Sequence, residues 1–210
     1  MSGLFVALEG GDGAGKSTQA DLLVAWLRSS GRPAVRTHEP GDSPIGPAVR
    51  DLLLSASSDG LSAWAEALLY AADRAEHVSA VVRPALEAGA VVVSDRYLDS
   101  SVAYQGVGRG LGAERIEQIS LWATGALRPD LTVLLDLDPA HARRRATGPA
   151  DRLESEPLRF HHEVRQAFLG LASRDPHRYL VIDASGGVDE VQKAIRRALG
   201  PLLAAIEPLP

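Results

Sequence analysis

Short apolar runs alternate with longer stretches whose apolar residues recur every three or four positions. Leu4–Leu8 is one such run and reads as a buried strand; Lys16–Ser30 follows as a helix with Leu22, Leu23, Trp26 and Leu27 on one side. Ala34–Thr37 is a second strand. Leu61 to about His77 has helical spacing, continued in some form over Val78–Ala88 despite Pro84. Val91–Val93 is a strand ended by Asp95, Ala113–Leu127 a helix, Leu131–Leu135 a strand, and Ala140–Ala146 and Glu154–Ser173 helices. Tyr179–Ile182 and Val188–Leu199 close the pattern as strand and helix. Strands and helices alternating in this way imply a parallel sheet covered on both faces. Pro40–Pro47, the glycine-rich Gly106–Gly112 and Thr147–Ala150 read as loops, and Glu207–Pro210 as a frayed tail.

At 210 residues this is one domain, 1–210, with room for a mobile subregion. A net charge of -5 disfavours a nucleic-acid partner. The absence of cysteine removes disulfides and thiolate metal sites. Leu4–Leu8 is too short for a signal peptide core or a membrane span, so the expected location is the cytoplasm. Among the 22 basic residues only Lys16 and Lys193 are lysine, which makes Lys16 informative. A compact ammonium on a flexible stem is not replaced well by a planar guanidinium.

Lys16 sits in Gly10-Gly11-Asp12-Gly13-Ala14-Gly15-Lys16-Ser17, which fits the G-x-x-x-x-G-K-[ST] phosphate-binding pattern between a strand and a helix. Glycines let backbone N–H groups wind around phosphates, and the helix start adds further N–H groups and a positive dipole end. Lys16 is expected to bridge the outer phosphates of ATP, Ser17 to bind Mg²⁺, and Thr18 to continue the cradle. A GTPase switch is one other possibility, but Lys193 lacks the neighbours of a guanine-reading Asn-Lys-x-Asp motif. A nucleic-acid-stimulated ATPase, suggested by Arg143-Arg144-Arg145, is weakened by the acidic total and the lack of interleaved aromatics.

Five segments then share a resemblance. FVALEGGDGAGKST (Phe5–Thr18), Thr37–Gly41, Leu69–Arg74, Asp95–Tyr97 and Ala103–Gly106 occur in the order and spacing of a bacterial thymidylate kinase. The resemblance spans nearly the whole chain. It implies a P-loop NTPase fold of the nucleoside monophosphate kinase type: a five-stranded parallel sheet flanked by helices, a short lid at about 143–153, and a homodimer. It also implies ATP as donor and dTMP as acceptor.

Roles follow residue by residue. Asp95 and Arg96 end a strand at the sheet edge where ligands bind, so Asp95 is expected to face Mg²⁺ through water and Arg96 to clamp the acceptor phosphate. A structural ion pair is the alternative for both, and Asp136 is a lower-ranked metal-facing carboxylate. By resemblance, Asp12 faces the acceptor's sugar and phosphate, Glu39 and Pro40 shape its pocket, and Arg50 meets the monophosphate. Tyr70 would stack on thymine and Arg74 would donate to its O4; four apart, they share a helix face. Ser101 and Gln105 would complete the base contacts, and Tyr104 would press on the sugar. No basic residue lies between Asp12 and Lys16, so the resemblance moves the transition-state cation to the lid. The lid candidates are Arg143, Arg144, Arg145 and Arg152, with Arg144 and Arg152 the catalytic choices and Arg143 facing ATP. His38 and Asp42 depart from the family pattern, which often has arginine and glycine there.

Overall fold

The computed structural model describes residues 3–55, 58, 60–145 and 150–206. Five strands, β1 (Leu4–Glu9), β2 (Ala34–His38), β3 (Val91–Asp95), β4 (Leu131–Asp136) and β5 (Tyr179–Asp183), form one all-parallel sheet in the order β2-β3-β1-β4-β5. Their side chains alternate between two buried faces. Leu4, Val6 and Leu8 of β1 pack with Leu23 and Leu27 of α1 (Lys16–Ser29) and with Ile195, Leu199 and Leu203 of α9 (Val188–Ala205). Phe5 and Ala7 face the other way, toward Val78, Val82, Val164 and Phe168. Burial on both faces is why the strands read as continuous apolar runs.

The second face is covered by α3 (Ala63–His77), α4 (Arg83–Glu87), α6 (Ala113–Thr124) and α8 (Leu158–Arg174). Between α3 and α4 the chain widens into a π turn, Val78–Val82, which takes up Pro84 without ending the helical path. Short helices α2 (Gly46–Leu54), α5 (Leu98–Ser101) and α7 (Pro139–Arg145) complete the set. No helix of the described residues is long and apolar enough to cross a membrane.

Three expected boundaries move. α6 stops at Thr124, where Gly125 and Ala126 both take positive φ of 59°. α8 starts at Leu158, not Glu154, because Asp151 Oδ1 accepts from the N–H groups of Leu153 and Glu154 at 2.8 Å and holds a turn. Pro157 then denies Glu156 a helical conformation. α9 runs on through Pro201, since Leu199 and Leu203 bury against the core and offset a proline penalty of about 3 kcal/mol. Val102–Gly108, expected in part as loop, is a second π-helical stretch that continues α5. Of the loop expected at 147–150 only Ala150 lies within the described residues, and the tail at 207–210 lies outside them.

Candidate active site

β1 and β3 pair with Leu8 opposite Asp95, so the phosphate loop and the Asp95-Arg96 turn leave the sheet side by side. This is the carboxyl edge, where open α/β sheets bind ligands. The loop lies tight against its neighbours. A Cβ at Gly10 (φ +135°) would fall 2.4 Å from the Leu135 carbonyl oxygen, and one at Gly13 (φ +74°) 2.9 Å from that of Ala142. Only glycine suits both the space and the backbone angle. Ala14 is buried beneath the loop. Gly15, Lys16, Ser17 and Thr18 open α1 onto a cavity of about 570 Å³, where the first N–H groups of the helix have no backbone partner.

Charged groups converge on that opening. Lys16 Nζ donates to the Gly11 carbonyl at 2.8 Å, across the loop it belongs to. Ser17 Oγ donates to Asp95 Oδ2 at 2.6 Å. Arg96, at φ 69°, donates from Nη1 to the Gly10 carbonyl and to Ser100 Oγ, both at 3.0 Å, and from Nη2 to Asp12 Oδ1. Tyr104 OH donates to Asp12 Oδ2 at 2.8 Å, and the Arg96 guanidinium lies 5.2 Å from the Tyr104 ring centre. Burial pushes the Asp12 carboxyl up, but Arg96 and Lys16 outweigh it and hold it down at about 2. The same contest lowers Asp95. Burial, with Arg96 alongside, pushes Lys16 down to about 8.

The remaining wall comes from the loop after β2, from α2 and α3, and from the α5 stretch. Glu39, Pro40, Arg50, Tyr70, Arg74, Ser101, Tyr104 and Gln105 all line the cavity with Asp12, Asp95 and Arg96, as their assignment to one acceptor pocket requires. Arg50 Nη1 donates to the Pro40 carbonyl at 2.7 Å. Arg74 is more embedded than an open-pocket donor. Its Nε donates to Glu39 Oε2 at 2.7 Å, its Nη1 to Ser120 Oγ at 3.2 Å, and its Nη2 to Ser101 Oγ at 2.9 Å and the Tyr97 carbonyl at 3.4 Å. Of five N–H groups this leaves one, on Nη1. Glu39 is held from its other side by His77 Nδ1 at 2.8 Å, and His77 in turn meets Thr37 Oγ1 at 2.6 Å.

The lid arginines do not act as a group here. Arg143 and Arg144, at the end of α7, are exposed, and Arg143 lines a second cavity of about 480 Å³ together with Gly11 and Gly13. Arg145 donates to the carbonyls of Ala184 and Ser185 at 2.9 and 3.1 Å. Arg152 is turned onto α3 and α2: it donates to Glu66 Oε2 at 2.6 Å and to the Leu53 carbonyl at 2.9 Å, and lines neither cavity. Asp136, the lower-ranked metal carboxylate, is taken by Arg165 in a bidentate pair at 2.6 and 2.8 Å.

Comparison with known proteins gives this arrangement its place. The family model for thymidylate kinase matches residues 8–195. The chain belongs to the thymidylate kinase family. A thymidylate kinase of Clavibacter michiganensis subsp. michiganensis is 57% identical over 208 residues, 98% of each chain. One of Cutibacterium acnes is 52% identical over 203 residues, 97% of this chain and 99% of that one. The crystal structure of thymidylate kinase from Ehrlichia chaffeensis superposes with a TM-score of 0.78 at 30% identity, covering 94% of this chain and 98% of that one.

Within the thymidylate kinase framework the two departures answer each other: His38 Nδ1 lies 3.5 Å from Asp42 Oδ2, at the mouth of the cavity that His38 lines. Three further residues of the site have no role assigned by the motifs. Arg36, two residues before His38 on the same face of β2, lines the cavity and lies 3.5 Å from Asp95. Glu9 closes β1 and is fully buried; it accepts from the N–H groups of Tyr97 and Ser100 at 2.9 and 3.1 Å and from Ser100 Oγ at 2.6 Å. These bonds shape the turn that aims Arg96. Burial first, then the nearby Asp99, push the Glu9 carboxyl up to about 7. Glu66, likewise buried, accepts from Gln105, Arg109 and Arg152. Its signal was in the sequence: Glu66, Tyr70 and Arg74 follow at intervals of four along one helix face.

Proposed function

We propose that the protein transfers the γ-phosphoryl group of ATP to dTMP, giving dTDP for dTTP synthesis in the cytoplasm. One observation carries this reading: a single cavity joins a phosphate-binding helix start to a buried wall of polar and aromatic groups, with Arg96 and Asp12 between them. The names of the relatives at 57% and 52% identity support the choice of thymidylate.

The N–H groups at the start of α1 and Lys16 hold the donor phosphates; Lys16 leaves the Gly11 carbonyl to do so. A bound polyphosphate restores the full charge of an ammonium that burial has pushed down to about 8. Arg96 and Arg50 fix the acceptor phosphate, an oxygen of which displaces ADP from the γ-phosphorus in line. That oxygen is anionic near neutral pH, so no side chain has to act as general base. Asp12, held as a carboxylate, orients Arg96 and, through Tyr104, the wall beside the sugar. Ser17 and Asp95 suit Mg²⁺, which takes hard oxygens in small number and keeps its remaining positions for phosphate and water. Bound there, Mg²⁺ supplies charge neutralisation on the phosphates. Among the described residues no cluster of three acidic or histidine groups stands ready to hold a metal alone. The lid cation comes from the Arg143–Arg145 end of α7, because Arg152 is held on Glu66 and the Leu53 carbonyl and lines neither cavity.

A homodimer belongs to the same proposal. Trp64 and Leu68, one turn apart on α3, are 42% and 54% exposed, and Trp122 on α6 is 87% exposed, a large apolar display for a monomer.

Steady-state kinetics with ATP, Mg²⁺ and a panel of monophosphates test the reading. dTMP should lead. dUMP, lacking one methyl, should follow by roughly ten- to a few-hundredfold in kcat/KM, and dCMP by about a thousandfold or more. ADP release without a phosphorylated acceptor, or a preference for another base, refutes it.

A further inference from the structure

We infer that Glu66 is a positioning residue for base selection: its carboxylate turns the Gln105 amide so that the carbonyl oxygen faces the acceptor cavity. The inference rests on the reading of that cavity as a pyrimidine nucleotide site. Gln105 Nε2 donates to Glu66 Oε1 at 2.9 Å, and both side chains are buried. A carboxylate offers only acceptors, whereas a primary amide has a donor end and an acceptor end, so this bond has one possible polarity. Among the described residues no buried side-chain oxygen lacks a partner, and no protein donor reaches Gln105 Oε1. Gln105 lines the cavity, and its oxygen is therefore open to it.

Glu66 cannot readily turn away. Arg109 Nε lies 3.3 Å from the oxygen shared with Gln105, and Arg152 Nη2 lies 2.6 Å from the other. Ser101, one turn before Gln105, accepts from Arg74, which offers only donors. The wall thus sets a fixed acceptor close to fixed donors. A 4-oxo pyrimidine matches it, with a donor at N3–H beside an acceptor at O4. Cytosine carries the opposite pair and is refused at both atoms.

Glu66→Gln, made together with Arg109→Ala so that Arg152 is the cation left on this side chain, tests this, because Arg152 will keep an oxygen at its side and leave the new amino group facing Gln105. Gln105 must then reverse and turn its own amino group into the cavity. The ratio of kcat/KM for dTMP over dCMP should fall by about tenfold or more. Gln105→Met should lower the ratio as well, and adding Glu66→Gln to it should change the ratio no further, since the effect runs through Gln105. Arg109→Ala, which removes an ion pair but not the polarity, should keep the ratio. A dTMP-selective wild type with an unchanged ratio in the Glu66→Gln, Arg109→Ala double variant overturns the role of Glu66 and leaves the proposed function standing. A wild type that does not prefer dTMP overturns both. Should that double variant fail to fold, NMR of the wild type decides: the Gln105 side-chain amide protons should be protected from exchange both free and with dTMP bound. Protons left unprotected in either state overturn the inference.

Discussion

Replacing Glu9 by glutamine should make the protein more stable above neutral pH and leave it unchanged in acid. Glu9 is fully buried and its carboxyl is raised from 4.5 to about 7 by burial first and Asp99 next. The folded protein holds this proton more tightly than the unfolded chain. The associated stability is therefore complete below about pH 4.5 and drains away as pH rises through 7. At 1.36 kcal/mol per pKa unit, the rise corresponds to roughly 3 kcal/mol, lost by pH 8. Neutral glutamine matches the protonated acid: Oε1 still accepts from the N–H groups of Tyr97 and Ser100, and the amide donates to Ser100 Oγ, as the carboxyl O–H would. Urea unfolding of both proteins from pH 4.5 to 8.5 gives the difference curve. It should be flat near zero at the acid end and climb to about 2–3 kcal/mol in favour of Glu9→Gln at pH 8. Parallel pH profiles would refute the reasoning, because they would mean that Glu9 gives up its proton in the folded protein as easily as in the unfolded chain.

Lys16→Met, which keeps the stem and removes the charge, should lower kcat by orders of magnitude while isothermal titration still detects dTMP; near-normal turnover would end the phosphate-cradle assignment. Alanine at Arg143, Arg144, Arg145 and Arg152 in turn should single out one or two positions where kcat falls more than dTMP affinity. Equal small effects at all four would make them a solvated face. Arg74→Ala should lose about 3–5 kcal/mol of stability by denaturant melt, because it strands Glu39 in the core with only His77; a loss under 1 kcal/mol would show that the buried pair relaxes.

The parts of the molecule written in local pattern were legible from the chain. The five strands, doubly buried, appear as apolar runs, and the glycines at 10, 13 and 15 with Lys16 announce the cradle before any fold is known. Asp95 and Arg96 could be placed beside it because both leave a strand at the ligand-binding edge. Side-chain partnerships across long sequence separations could not be read. Arg74 reads as a donor to the base four residues after an aromatic, yet its partners are Glu39, Ser101 and Ser120, which only the packing of three segments brings together. Glu9 reads as a polar end to a strand, since nothing local tells that residues 97–100 will close over it. Along the chain Arg152 falls with Arg143, Arg144 and Arg145 at the lid, whereas its guanidinium answers a carboxylate on α3.

Arg96 combines the backbone angle of a glycine with contacts that only a forked cation can make. Mutational drift is closed to it on both sides. Glycine would relax the main chain and abandon Asp12; lysine would keep the charge and the backbone strain but could not reach the Gly10 carbonyl, Ser100 and Asp12 together. Each of these substitutions thus gives up contacts that the guanidinium makes. A position of this kind is locked by its surroundings, and the residues that lock it, Glu9 and Asp12 among them, inherit part of its intolerance to change.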